Sequence, residues 1–272
     1  MTEDLNTEIR SLKMQIAKLQ LESKLRRNLA SELDKQKQIA KNAEEVAKEK
    51  SKEIEEIASQ LSKYLSPQLY NSIFSGEKKV LIESEKKFLT IFFSDIISFT
   101  EISDKMDSAP LTQMLNLYLN KMSEIALKYG GTIDKYIGDS IMIFFGDPES
   151  KGIEKDAINC VQMAIEMQQT MKIISQTFMK DFNLPQPLNM RVGVNSGDCT
   201  VGNFGSDKRL DYTVIGGAVN LASRLESNSP PGKILISDVT EGLIKNDIKC
   251  KNYDKIKAKG IEKPINTFLP TF

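Results

Sequence analysis

The sequence predicts an α+β fold, an antiparallel core with helices packed on one face, preceded by a long coiled-coil helix. Three observations predict it. Residues 1–60 contain no Gly, Pro or aromatic residue and repeat an apolar position every seventh place. From about residue 86, short apolar runs rich in β-branched and aromatic residues alternate with two long stretches of helical periodicity. Two of those runs close on each other around Ile137-Gly138-Asp139, which reads as a hairpin.

The first segment is rich in Lys, Glu, Gln, Ala and Leu, the good helix formers. One seven-residue row runs Leu5, Leu12, Leu19, Arg26, Leu33, Ala40, Ala47, Ile54, Leu61, broken only by Arg26. Ile9 and Ile16 accompany it early, Ala43 and Ile57 later, so the seam shifts phase near Arg26, and Lys50 intrudes in the later set. A seam this narrow is a coiled-coil signature. A helix of this length, about 90 Å at ~1.5 Å per residue, cannot bury its stripe against itself. It predicts a partner helix, most simply a parallel copy from a second chain. Residues 1–62 are therefore expected to form a signalling or dimerisation helix. Residues 63–85 are expected to form a joint, with Pro67 opening a short helix after Ser66 and Gly76 ending it.

Residues 86–272 then form the globular domain. Phe88–Phe93 reads as a buried strand. Leu111–Tyr129 is an amphipathic helix stopped by Gly130-Gly131. Thr132–Tyr136 and Ser140–Phe145 are the hairpin, and Lys155–Met179 is the second long helix. Met190–Asn195 and Tyr212–Ile215 are strands, Gly217–Glu226 a helix and Lys233–Ser237 a strand.

Composition excludes whole classes of chemistry. Lys+Arg and Asp+Glu balance at 37 each, so no basic field argues for nucleic acid. Histidine is absent, which removes His-based zinc sites, Ser-His-Asp and Cys-His triads, and a histidine base. Proton transfer must use carboxylate, lysine, water or the substrate. Cys160, Cys199 and Cys250 lack Cys-x-x-Cys spacing and read as reduced thiols of a cytoplasmic protein. No stretch approaches the roughly 20 apolar residues of a membrane span, and the polar N-terminus does not read as a signal peptide.

Asp95 and Asp139 each stand at the polar end of an apolar run, where two carboxylates can hold Mg²⁺ beside phosphates. Alone, such an Asp is more often a turn or cap residue. Four stretches travel together, however: Phe-Phe-Ser-Asp-Ile-Ile-Ser-Phe-Thr at 92–100, Asp-Lys-Tyr-Ile-Gly-Asp-Ser-Ile-Met at 134–142, Arg-Val-Gly-Val-Asn-Ser-Gly at 191–197, and Tyr-Thr-Val-Ile-Gly-Gly-Ala-Val-Asn-Leu-Ala-Ser-Arg-Leu-Glu at 212–226. In this order and spacing they resemble the class III nucleotidyl cyclases, specifically bacterial-type adenylate cyclases. The resemblance covers roughly residues 64–270.

It implies a ferredoxin-like antiparallel sheet and a set of roles. Asp95 and Asp139 match the metal-binding aspartates, with the carbonyl of Ile96 completing the shell of two Mg²⁺ or Mn²⁺. Lys135 and Thr213 match the pair that reads the purine. Asn220 and Arg224 match the pair that orients the ribose and stabilises the transition state. Lys257 matches a lysine that holds the triphosphate, with Lys259 as the competing assignment. Guanylate cyclases of the family resemble one another in having Glu and Cys at the two base-reading places, and this chain has neither, so ATP is the expected substrate. A lysine can also donate to guanine O6, which keeps GTP open. The family's sites lie between two catalytic domains, which implies a head-to-tail homodimer here. The phase shift near Arg26 and the polar Lys50 lead to the expectation that the coiled coil controls activity, with input from an upstream sensor domain or protein. One departure is Gly217, where the family usually has Asp. The competing readings are a catalytically silent dimerisation or signalling module and a palm-type polymerase or cyclic dinucleotide synthase, although no Gly-Gly-Asp-Glu-Phe-like turn is present.

Overall fold

Residues 2–65, 70, 83–206, 208–256 and 264–272 are described in a computed structural model. The chain divides into two compact units, Met1–Tyr64 and Leu65–Phe272.

The first unit is one uninterrupted helix, α1 (Thr2–Leu61), followed by a 3-10 turn at Ser62–Tyr64. The seam residues Leu5, Leu12, Leu19, Leu33, Ile54 and Leu61 are all more than half exposed. Most of the expected joint, residues 66–69 and 71–82, lies outside the described residues.

The second unit is built on β1 (Ser84–Ile96), α2 (Phe99–Lys105), α3 (Ser108–Tyr129), β2 (Thr132–Ile137), β3 (Ser140–Phe145), α4 (Ile153–Asp181) and β4 (Met190–Ser206). It continues through β5 (Arg209–Ile215), α5 (Gly217–Asn228), β6 (Ile234–Ser237), α6 (Asp238–Ile244), β7 (Cys250–Ile256) and β8 (Ile265–Pro270). The strand order is β2-β3-β1-β4-β6-β8-β7, with β5 hydrogen-bonded to the far half of β4. Its first four strands, all antiparallel neighbours, with α3 and α4 as the two crossovers, are the ferredoxin-like core.

Strand periodicity sorts the side chains onto two faces. Phe92, Ile141, Ile143, Phe145, Val192 and Val194 meet α3 and α4 in the main core, through residues such as Tyr118, Met122, Val161 and Met167. Their neighbours Leu89, Ile91, Met142, Phe144, Cys199 and Val201 point the other way and pack on Ala222 of α5. The α+β class stands, with two particulars beyond the expectation. The long helices share one face, but α5 covers the opposite face. The sheet is mixed, since β4 and β6 run parallel.

The seat of α5 is sterically exacting. A Cβ on Gly193 of β4 would lie 2.1 Å from the Glu226 nitrogen and 2.4 Å from the Ala222 carbonyl oxygen. Only glycine lets helix and strand backbones approach this closely.

Candidate active site

Asp95 is the penultimate residue of β1 and Asp139 sits in the two-residue turn between β2 and β3. Gly138, at φ 65°, supplies the left-handed conformation that so short a turn requires. Because β3 pairs with β1, Ser94 opposite Ile141, the turn is delivered to the end of β1. The Ile96 N–H donates to Asp139 Oδ2 at 2.8 Å, and Ser140 Oγ donates to Asp95 Oδ1 at 2.7 Å. Arg191, opposite Asp95 in the β1–β4 register, donates to Asp95 Oδ2 at 2.9 Å. Its Nε also lies 3.3 Å from Glu226 Oε1 on α5.

Asp139 is 8% exposed. Burial pushes its carboxyl up to about 6, the Asp95 charge adds to the rise, and the Ile96 N–H opposes it. Glu226 is also raised, first by burial and then by Asp95, with Arg191 pulling it down. Asp95 and Glu226 thus share one guanidinium while Asp139 stands beside Asp95 without one, an excess of negative charge that suits a divalent cation. The donors are all oxygens, as Mg²⁺ and Mn²⁺ prefer. Among the described residues no group of three or more His, Cys, Asp or Glu side chains could hold a metal. A two-carboxylate site of this kind leaves coordination positions to phosphate and water, which is how Mg²⁺ is usually held beside nucleotides.

Lys135 and Thr213 converge elsewhere, on a residue that sequence reasoning missed. Thr213 Oγ1 donates to Asp134 Oδ2 at 2.6 Å, the Val214 N–H donates to the same oxygen at 3.3 Å, and Lys135 Nζ lies 3.3 Å from Asp134 Oδ1. The Asp134 carboxylate is completely buried. Burial raises its pKa, while Thr213, Lys135 and Val214 pull it back. Simple alternation sends residues 134 and 135 to opposite faces. The register shifts between Ile133 and Lys135, however, and this bulge re-aims the side chains beside the site.

Asn220 and Arg224 lie one turn apart on α5, Asn220 exposed and Arg224 half-buried. At about 100° per residue, Arg224 lies roughly 200° and Asn220 roughly 240° around the helix from Glu226. Glu226 faces Arg191 and its own chain's Asp95. Asn220 and Arg224 therefore lie on a different face of α5 from Glu226. Lys257 and Lys259 lie outside the described residues. Gly217 is the first residue of α5, whose cap position, Gly216, makes no side-chain capping bond.

The structure thus brings Asp95, Ile96 and Asp139 into one cluster and Lys135 and Thr213 into another. Arg191 and Glu226 also belong to the first cluster. Both stand inside the motifs at 191–197 and 212–226, but their pairing is long-range and leaves no local pattern.

Residues 82–270 match the adenylate and guanylate cyclase catalytic domain family. The terminal-differentiation-specific adenylate cyclase of Dictyostelium discoideum is 34% identical over 187 residues, covering 67% of this chain and 8% of that protein. This chain thus corresponds to a small part of that relative. The crystal structure of the adenylyl cyclase CyaB from P. aeruginosa shares 51% identity at a TM-score of 0.68, covering 70% of this chain and 96% of that one. The guanylyl cyclase Cya2 shares 34% at a TM-score of 0.65, covering 69% and 93%. No helix among the described residues is long and apolar enough to cross a membrane. With the four motifs, the ferredoxin-like core and the paired aspartates in place, the chain belongs to the class III nucleotidyl cyclases.

Proposed function

We propose that this chain is an adenylate cyclase, forming 3′,5′-cyclic AMP and pyrophosphate from ATP at sites shared between two copies. The observation that carries the cyclase reading is the Asp95–Asp139 pair, held together through the Ile96 N–H. Two Mg²⁺ or Mn²⁺ would be held by Asp95, Asp139 and the Ile96 carbonyl. When bound they acidify the ribose 3′-hydroxyl and neutralise charge on the triphosphate.

The chain's own groups position and stabilise. Asn220 orients the ribose so that its 3′-oxygen faces the α-phosphorus. Arg224 offers a planar fork of donors to the α-phosphate as charge builds there, a match that a lysine lacks. Lys257 holds the triphosphate. Lys135 donates to adenine N1, and Thr213 accepts from the N6 amino group. The absence of histidine is no obstacle, because little covalent work falls to the protein in phosphoryl transfer.

The reach of Asn220 and Arg224 away from their own chain's aspartates supports sites completed by a second copy. Residues 1–62 would hold the two copies together and pass on a signal from a sensor domain or partner through the joint at 63–85. Free Cys160, Cys199 and Cys250 support a cytoplasmic setting. The second reading is GTP, which Lys135 could also serve by donating to O6. Purified chain is to be incubated with Mg²⁺ or Mn²⁺ and ATP or GTP, with products separated by chromatography. Cyclic AMP formed in preference to cyclic GMP is the expected result. No pyrophosphate release from either nucleotide would overturn the cyclase reading, and preferred cyclic GMP would overturn the substrate.

A further inference from the structure

We infer, on the ATP reading above, that Asp134 is a positioning residue for base choice: it takes the hydroxyl hydrogen of Thr213 and leaves that oxygen only its lone pairs to present to the purine. A threonine hydroxyl has one hydrogen and two lone pairs. Free to rotate, it can accept from the adenine N6 amino group or donate to guanine O6, so it discriminates poorly. In this chain its rotation is constrained. Thr213 Oγ1 lies 2.6 Å from Asp134 Oδ2, a short bond of the kind made to a carboxylate.

The direction of that bond is set by a second donor. The Val214 backbone N–H, which can only donate, lies 3.3 Å from the same Oδ2. That oxygen therefore acts as an acceptor, and the hydrogen between it and Thr213 belongs to the threonine. The Asp134 side chain is completely buried, so water cannot compete for these bonds. The other oxygen, Oδ1, is 3.3 Å from Lys135 Nζ, and the Lys135 side chain remains 40% exposed. One hidden carboxylate thus tethers both base readers. It fixes the ambivalent Thr213 hydroxyl as an acceptor beside a lysine that can only donate, the complement of adenine N6 and N1. Against guanine, the Thr213 oxygen would face O6 with no hydrogen between them.

A purely structural role, a tie between β2 and β5, makes a different prediction. Losing such a tie lowers stability and impairs both nucleotides alike. The ratio of kcat/KM for ATP to that for GTP separates the two, measured on the full chain. Asp134→Val keeps roughly the aspartate volume and suits a strand, but frees the Thr213 hydrogen. The ratio is expected to fall about 10-fold, since a site built around a hydrogen bond discriminates strongly only while the bond is enforced. Asp134→Asn retains an acceptor oxygen for Thr213 and Val214 while giving up the Lys135 contact, and should hold the ratio closer to wild type than Asp134→Val does. Thr213→Val should lower the ratio as Asp134→Val does, and the double variant should lower it no further, because the two act through one bond.

An unchanged ratio in Asp134→Val, or a multiplicative fall in the double variant, overturns the role of Asp134. Should thermal melts show that Asp134→Val does not fold, Asp134→Ala is read by the same criteria. The ATP reading is tested apart from this by the wild-type chain. ATP preference in wild type with an unaltered ratio in the variant sinks only Asp134, whereas GTP preference in wild type sinks both.

Discussion

At Asp139, burial and the Asp95 charge both oppose ionisation, and a bound divalent cation would reverse both effects. Ligands that bind only the folded state stabilise it. Millimolar Mn²⁺ should therefore raise the melting temperature of the wild-type chain. Asp139→Asn removes one of the two carboxylates while keeping its shape and its capacity to accept from the Ile96 N–H. It should abolish the Mn²⁺-induced rise and lower cyclase activity by about 100-fold or more, as read by scanning fluorimetry and cyclic nucleotide yield. An undiminished Mn²⁺ shift in this variant would remove Asp139 from the metal site. Asp95 and Asp139 were legible in the sequence because each ends an apolar run, where a carboxylate has no role in the core. Asp134 was not. It opens the motif at 134–142 but carries no assigned role, and the bulge between Ile133 and Lys135 breaks the alternation from which side-chain direction is read.

Among the elements, α5 carries the proposed Asn220 and Arg224 and starts on two glycines. Gly217 opens it, a Cβ added there would meet nothing within 4 Å, and Gly216 before it supplies no side-chain cap. Gly217→Ala should stabilise the domain by about 0.5–1 kcal/mol through helix propensity alone. Gly193→Ala should do the reverse, by about 1–3 kcal/mol or more, because the new methyl meets helix backbone instead of a movable side chain. Chemical denaturation of the two variants checks both signs; a stable Gly193→Ala chain would contradict the close seat of α5. The long helices and the central hairpin were legible because their apolar periodicity is strong. β7 was not, since five of its seven residues are exposed and its sequence lacks a buried stripe. β4 was read only as far as Asn195. Its second half, with Asp198, Thr200 and Asn203, is polar, and it is drawn into strand by pairing with β1 and β5.

For the whole molecule, the proposed sharing of sites has a test that no single chain can imitate. Asp95→Ala and Arg224→Ala chains should each be inactive alone. Mixed and allowed to exchange, they should recover about a quarter of wild-type activity, because half the dimers are mixed and each mixed dimer keeps one intact site. Continued inactivity of the mixture, with exchange shown by tagged pull-down, would place the whole site within one chain. The heptad seam was plain in the sequence, and α1 forms as a single helix over it. The second copy proposed to cover the seam lies beyond a single chain, and one sequence states it only as an apolar stripe. The tight seat of α5 on Gly193 has a genetic consequence as well. The helix is divided lengthwise into two territories of tolerance. On the inner turn around Ala222 and Glu226, random mutations should be lost as insoluble protein, with suppressors arising nearby in β4. On the outer turn around Asn220 and Arg224, they should yield soluble, normally melting chains that make no product. A mutational scan of these twelve residues, scored separately for abundance and for activity, should therefore split into two nearly exclusive classes that follow the helical period.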